Sequence, residues 1–264
     1  SLTMSNLVMY VVSPCMLLVA FQRPLEHELL HEFAISLGIA LLLHAAFIVL
    51  SRLILREKDA HRRGLMLFSS VFSNCGFMGY PLMTALFGSI GVFYGSAYVV
   101  VFTFLTWTYG VFAMTGDRSQ LKLRPLLLNP GVISIVLALA LYLLEITLPD
   151  IIMTPATYLS ALNTPLPMVV VGSQLSHADF RAALKGASSW ITMLLRLVAF
   201  PLLSLGICLA LGLNSDLTMV LVIAASAPAA ALLSMLSAKF ELDSELASSM
   251  VSVQPAFSAL TMPL

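Results

Sequence analysis

The segment of this sequence best suited to binding a ligand is SNCGFMGYP, from Ser73 to Pro81. It places an asparagine, two glycines and a proline inside a long apolar run, and proline and glycine both weaken a helix. A second apolar run holds SAPAAA, from Ser226 to Ala231. Two helices broken in this way are typical of a transport site, since irregular backbone at membrane depth is tolerated beside protein or a polar cavity. The alternative is a pair of kinked packing helices.

An organic anion that leaves water needs partial positive charge around it. We expect half-helices that begin after Pro81 and Pro228 to supply free N–H groups, and Asn74 to add an amide donor. Phe77 and Met78 either hold an organic body or face lipid and neighbouring helices. The candidate substrate residues within the two segments are Ser73, Asn74, Gly76, Tyr80, Pro81, Ser226 and Pro228.

Two ionisable side chains stand deep inside apolar runs, Arg196 and His44. Ionisable residues inside a membrane are costly and mark functional positions. Arg196 either attracts the anion or bonds to backbone carbonyls, and His44 either carries protons or is a hydrogen-bonded packing residue. No Asp or Glu lies at the middle of a run, which disfavours a carboxylate-based antiport. Sodium coupling through oxygen ligands, including that of Gln254, stays open.

The residues HELLH, from His27 to His31, match the H-E-x-x-H pattern of zinc metalloproteases. An intramembrane protease is therefore an alternative function. The motif lies in a charged connection beside Glu26 and Glu32, and no acidic third ligand follows it at membrane depth. We interpret it as an interfacial segment and expect no metal, no cofactor and no enzymatic activity.

The composition shows which elements must position these residues. Of 264 residues, 59% are apolar and 10% are charged, against roughly half and a quarter in soluble domains. Thirteen Lys and Arg balance thirteen Asp and Glu, so no basic excess indicates a nucleic-acid partner. Cys15, Cys75 and Cys208 lie inside apolar runs and form no complete disulfide framework. The sequence predicts an all-α polytopic protein whose partner is the lipid bilayer.

Nine apolar segments reach the length of about 20 residues that a membrane span requires. They cover residues 2–22, 33–54, 64–87, 90–114, 126–146, 155–175, 187–212, 217–237 and 244–264. Eleven basic residues fall on one side of this order, the side that the positive-inside rule makes cytoplasmic: Arg52, Arg56, Lys58, Arg62, Arg63, Arg118, Lys122, Arg124, Arg181, Lys185 and Lys239. The sequence thus predicts a cytoplasmic Ser1 and an external Leu264.

An internal repeat relates the two halves of the chain. Pro14 recurs as Pro165 and Pro81 as Pro228, and His44 has an ionisable counterpart in Arg196, all at similar offsets. The offset moves each span by five places, and an odd displacement inverts its orientation. We expect an N-terminal repeat over 1–125 and a C-terminal repeat over 126–264. The fifth span has no partner in this repeat. We therefore expect that a first helix is missing and that nine of ten transmembrane helices are present.

Several of these motifs resemble those of the auxin efflux carrier family. NCGFMGYPL, from Asn74, is similar to the family's N-x-x-x-x-G-x-P-L crossover signature, and NPGVISIVLAL, from Asn129, to the opening of its sixth helix. RLVAFPLLSLG, from Arg196, is similar to its eighth helix, and the segment from Ala238 to Leu264 to its last two. The resemblance covers the whole chain in order and favours a short bacterial-type member.

The resemblance implies an inverted-repeat carrier for auxin-like or dicarboxylic acids, with a scaffold domain, a transport domain and an elevator-like mechanism at a cell inner membrane. Asn74 takes the place of the asparagine that contacts the substrate carboxylate, and Pro81 and Pro228 those of the crossover prolines. Asn129 is a further candidate, although Gly131 stands where plant exporters have a second asparagine. The family also implies a homodimer, coupling to H+ or Na+ stays open, and a carrier-like ligand sensor is a third function class.

Overall fold

The apolar runs form helices, the structure that satisfies every backbone group within one segment in lipid. A computed structural model describes residues 2–120, 124, 127–176 and 187–262, and it shows helices and turns in these ranges without a strand. The helices are α1 (Leu2–Leu7, Val8–Val12 and Ser13–Phe21), α2 (His27–Ile54), α3 (Ala60–Val71), α4 (Cys75–Gly79, Tyr80–Leu105, Thr106–Gly110 and Val111–Thr115), α5 (Pro130–Leu143), α6 (Asp150–Ala161), α7 (Pro165–Ser176), α8 (Ala187–Leu194, Leu195–Ala199 and Phe200–Ala210), α9 (Ser215–Ser226), α10 (Leu232–Lys239) and α11 (Ser244–Thr261).

Four helices of the described part are long and apolar enough to cross a membrane: Thr3–Phe21, His27–Ile54, Cys75–Thr115 and Ser189–Ala210. Large apolar side chains such as Leu53 and Leu202 stay exposed on their outer faces. Surfaces of this kind are stable against lipid and are rare on soluble monomers. The protein is an all-α polytopic membrane protein, as its composition predicts.

Three span boundaries differ from the sequence prediction. The span predicted at 155–175 is divided between two helices, α6 and α7, which are separated before Pro165. Proline has no backbone N–H to donate to a helical hydrogen bond. The second span begins at His27, so the HELLH motif is helical. The third and fourth spans are joined in one helix, which is kinked at Gly88, where φ is 60°.

Three prolines inside long helices each follow a π-helical turn. Val8–Val12 precedes Ser13 and Pro14, Cys75–Gly79 precedes Tyr80 and Pro81, and Leu195–Ala199 precedes Phe200 and Pro201. A proline lacks an N–H and its ring crowds the carbonyl four residues earlier. A wider turn at this place relieves the clash, so these helices continue past their prolines.

Several residues that the sequence analysis used to predict the orientation fall outside the described residues. They are the termini Ser1 and Leu264, whose sides of the membrane the sequence predicts, and the basic residues Lys122, Arg181 and Lys185.

Candidate ligand site at two interrupted helices

Two helical paths are interrupted, and the interruptions lie against each other. α3 ends at Val71 and α4 begins at Cys75, while α9 ends at Ser226 and α10 begins at Leu232. The Asn74 N–H donates to the Pro228 carbonyl at 2.7 Å, and the Ala230 N–H donates to the Phe72 carbonyl at 2.9 Å. Ser73 and Ala229 thereby form an isolated antiparallel bridge. Each unwound segment satisfies part of the backbone of the other, which makes both interruptions tolerable inside the protein.

Arg196 of α8 joins the ends of both interrupted helices. Its guanidinium donates to the carbonyl oxygens of Ser70 and Val71 at 3.0 and 2.8 Å, to that of Ala227 at 3.0 Å, and to that of Ala225. The side chain is completely buried. Carbonyls at a helix C-terminus lack partners within the helix and carry partial negative charge, so a cation is favourable there. Arg196 therefore bonds to backbone carbonyls, the structural alternative of the sequence analysis.

Gln254 of α11 fastens the same region from another direction. Its Oε1 accepts from the Ala229 N–H at 2.8 Å, and its Nε2 donates to the Ser69 hydroxyl at 3.0 Å. Both ends of this buried amide are thus occupied by protein groups. The sequence analysis considered Gln254 only as an oxygen ligand for sodium, and its place in this network was missed.

Asn74 differs from these residues because its side chain is buried yet unused. Asn74 as a whole is 7% exposed, and its amide makes no hydrogen bond with the described residues. The two amide atoms are not among the fully buried ones, so they keep some access to open space. The hydroxyls of Ser73 and Tyr80, also buried, lack partners there as well. A Cβ added at Gly76 would meet no atom within 4 Å, so open space adjoins this turn. Buried polar groups normally have partners, so the unused Asn74 amide and Ser73 hydroxyl of this interruption suit a ligand with acceptor oxygens.

The other predicted site residues have different positions. Pro228 lies in the second interruption, whereas Pro81 is buried within α4, so the half-helix begins at Cys75 and not after Pro81. The interruption falls at 72–74 because the π turn absorbs the proline downstream. Ser226 donates to the Val222 carbonyl at 2.6 Å. Asn129 is the N-cap of α5, where its Oδ1 accepts from the N–H groups of Gly131 and Val132.

His44 and Tyr98 form a second buried polar group next to the interruption. The His44 Nδ1 donates to the Ala40 carbonyl at 2.7 Å, and its Nε2 is without a partner in the described part of the chain. Its ring lies 4.8 Å from that of Tyr98 and 6.2 Å from that of Phe72. Tyr98 has an equally unpartnered hydroxyl. His44 is thus a packed residue with one free nitrogen.

Asn163 is a polar position to which the sequence analysis gave no role. Its side chain is 1% exposed, and neither amide atom has a partner among the described residues. It lies between α6 and α7, and α7 contacts the Cys75–Gly79 turn. The signal was its position before Pro165 in an apolar segment, where a polar amide is costly.

The HELLH residues lie at the start of α2 and not at the interrupted helices. His27, Glu28 and His31 are exposed, and a cavity of about 450 Å³ beside them is lined by Glu26, Glu28, Glu32 and Asp216. Within the described ranges, no group of three or more His, Cys, Asp or Glu side chains is arranged to hold a metal ion. The carboxylates make this cavity unfavourable for an anion.

Comparisons with known proteins agree with this architecture. A family model described as membrane transport protein matches residues 2–125 and 119–264. An uncharacterized transporter of Methanocaldococcus jannaschii is 28% identical over 277 residues, which cover 99% of this chain and 87% of that protein. An uncharacterized transporter of Methanothermobacter thermautotrophicus is 30% identical over 225 residues, which cover 78% of this chain and 70% of that protein. The chain therefore belongs to the membrane transport protein family, that of the auxin efflux carriers.

Proposed function

We propose that this protein is a secondary or facilitative transporter of small organic anions, such as auxin-like or dicarboxylic acids, and that the anion binds beside the two interrupted helices. The observation that carries the proposal is the Asn74 amide, which has no partner among the described residues and keeps some access to open space although the residue as a whole is buried. A carboxylate that accepts a hydrogen bond from this amide gains about 1.5–3 kcal/mol, the usual contribution of a hydrogen bond to a charged group.

The charge distribution supports an anion rather than a cation at this place. The first N–H groups of α4, from Cys75 onward, lack acceptors within the helix and carry partial positive charge. Arg196 balances the negative ends of α3 and α9, so their carbonyls do not oppose a bound carboxylate. Gly76 leaves space for an anion to approach the backbone.

The transport cycle that we propose is alternating access around the crossover of the two interrupted helices, at 64–87 and 217–237. The antiparallel bridge between Ser73 and Ala229 supports two inverted repeats, over 1–125 and 126–264, because inverted segments run in opposite directions where they meet. The elevator-like motion, the homodimer, the inner membrane and the cytoplasmic placement of the basic loops belong to the same proposal. Coupling to H+ or Na+ is part of what the flux assay below measures.

Asn74→Ala is expected to weaken binding of the transported acid by about tenfold to a hundredfold, because a hydrogen bond to a charged group contributes about 1.5–3 kcal/mol. The measurement is uptake by proteoliposomes of labelled malonate, malate and indole-3-acetate, with and without proton and sodium gradients. Saturable uptake of one acid identifies the substrate. The ratio of the apparent KM values of Asn74→Ala and the unchanged protein gives the loss of affinity.

Asn6→Ala is the matched control for that measurement. Asn6 is exposed on α1, so the same truncation there should leave the KM unchanged. Asn129→Ala adds a second comparison, because loss of a helix cap should lower stability by about 1 kcal/mol without a change in affinity. An Asn74→Ala protein that folds and transports with the original KM would refute the assigned site.

A further inference from the structure

A second cavity lies at the basic end of the molecule, away from the interrupted helices. It measures about 410 Å³ and is formed where the end of α2, the start of α3 and the end of α4 meet. Its lining includes Ser51, Arg52, His61, Arg63 and Tyr109. Every ionisable side chain in that lining with a formal charge is basic, and none of the described lining residues is a carboxylate.

The carboxylates on the neighbouring loop are already engaged. Asp59 caps α3 by accepting from the N–H groups of His61 and Arg62, and these hydrogen bonds hold the pKa of its carboxyl below the usual value. Glu57 accepts from the N–H groups of Lys58 and Asp59. Arg52 and Arg63 consequently face the cavity without a described acidic partner.

Two hydroxyls at this cavity are buried and unused. Ser51 is completely buried, and neither its Oγ nor the Tyr109 hydroxyl has a hydrogen-bond partner in the described part of the protein. A serine inside a helix commonly bonds to the carbonyl four residues earlier, as Ser70 does to Met66 at 2.9 Å. Ser51 does not, although an unpaired buried hydroxyl costs free energy. The Arg52 guanidinium lies 5.4 Å from the centre of the Tyr109 ring, and Ser51 lines the same cavity.

We propose that this cavity binds a phosphate group that carries no attached cation, held by Arg52 and Arg63 and by the hydroxyls of Ser51 and Tyr109. Arginine forks match phosphate oxygens, and a hydroxyl donor completes such a site. Basic pockets between helices at a membrane boundary bind anionic lipid headgroups. The exposed apolar side chains of Val49, Leu53 and Ile54 on the same end of α2 provide a surface for acyl chains. A soluble phosphate has the same chemistry, and the experiment separates the two sources.

The test uses the full chain in detergent, titrated with phosphatidylglycerol, with phosphatidylcholine of the same acyl chains, or with inorganic phosphate. Native mass spectrometry counts retained lipid, and thermal unfolding measures stabilisation. Phosphatidylglycerol should bind and raise Tm, phosphatidylcholine should not, and Arg52→Gln or Arg63→Gln should weaken binding about tenfold. The control Arg56→Gln removes a neighbouring exposed charge that does not line the cavity, and it should bind as the unchanged protein does.

Ser51→Ala separates ligand binding from folding. It removes an unpartnered hydroxyl, so the lipid-free protein should be as stable as before or more so, whereas its gain in Tm from phosphatidylglycerol should shrink. Inorganic phosphate that binds and is lost in the same two arginine variants would support the site with a soluble ligand. Equal binding of both lipids, or equal loss in Arg56→Gln and Arg52→Gln, would overturn the proposal. The transport site is not involved, so these outcomes are independent of the proposed function.

Discussion

Arg196→Gln is expected to lower the free energy of unfolding by about 4 kcal/mol, which corresponds to a Tm roughly 10 °C lower for a chain of this size. The change takes away a buried guanidinium that donates to the carbonyls of Ser70, Val71, Ala225 and Ala227. A glutamine amide has two N–H groups on a shorter stem, so at least two of these carbonyls stay unpaired inside the protein. The measurement is thermal unfolding of the purified protein in one detergent.

The Tm of Arg196→Lys should lie between those of the unchanged protein and of Arg196→Gln. Lysine keeps the positive charge at the ends of α3 and α9, but its compact ammonium lacks the fork that reaches both. The same order is expected for transport, since the interrupted helices form the proposed site.

Arg23→Gln is the matched control. Arg23 also bonds to a helix-end carbonyl, that of Ala20 at 3.1 Å, but it is partly exposed and also bonds to Ser89. Water can replace these contacts, so the loss should stay below about 1 kcal/mol. Equal Tm values for Arg196→Gln and Arg23→Gln would contradict the bridging role of Arg196.

The position of Arg196 in an apolar run could be predicted to matter, but its partners could not. Its acceptors are backbone carbonyls from two segments far apart in sequence, and a carbonyl has no signature in the residue type. The prediction left two interpretations open for this reason. The pairing of Asn74 with Pro228 has the same origin, since tertiary contact between two unwound segments leaves no local pattern.

The helix interruptions could be predicted because glycine and proline weaken a helix wherever they stand. Their exact limits could not, because a π turn such as Cys75–Gly79 lets the chain pass Pro81 without a break. The sequence therefore located the interrupted regions, but it placed the start of α4 after Pro81 and not at Cys75. Unused buried groups, such as Asn163 and the Ser51 hydroxyl, become visible only once burial and hydrogen bonds are known.

Gly64→Ala is expected to destabilise the protein by about 3 kcal/mol, although alanine is the better helix former. Gly64 lies in α3 against the end of α4, and a Cβ there would collide with the backbone of Ala113 and Met114. Backbone atoms cannot turn aside as a side chain can, so the two helices must separate. The His61 Nδ1 donates to the Met114 carbonyl at 3.1 Å. This hydrogen bond would be lost when the two helices separate.

Gly38→Ala makes the same change at a helical glycine with open surroundings. No atom lies within 4 Å of a Cβ at Gly38, so the substitution should stabilise α2 by about 0.4–1 kcal/mol. Thermal unfolding of the two variants in the same detergent compares a glycine needed for close approach with one that is not. If Gly64→Ala shifted the Tm in the same direction as Gly38→Ala, α3 and α4 would have room between them, and the close approach at Ala113 would not be a constraint on the fold.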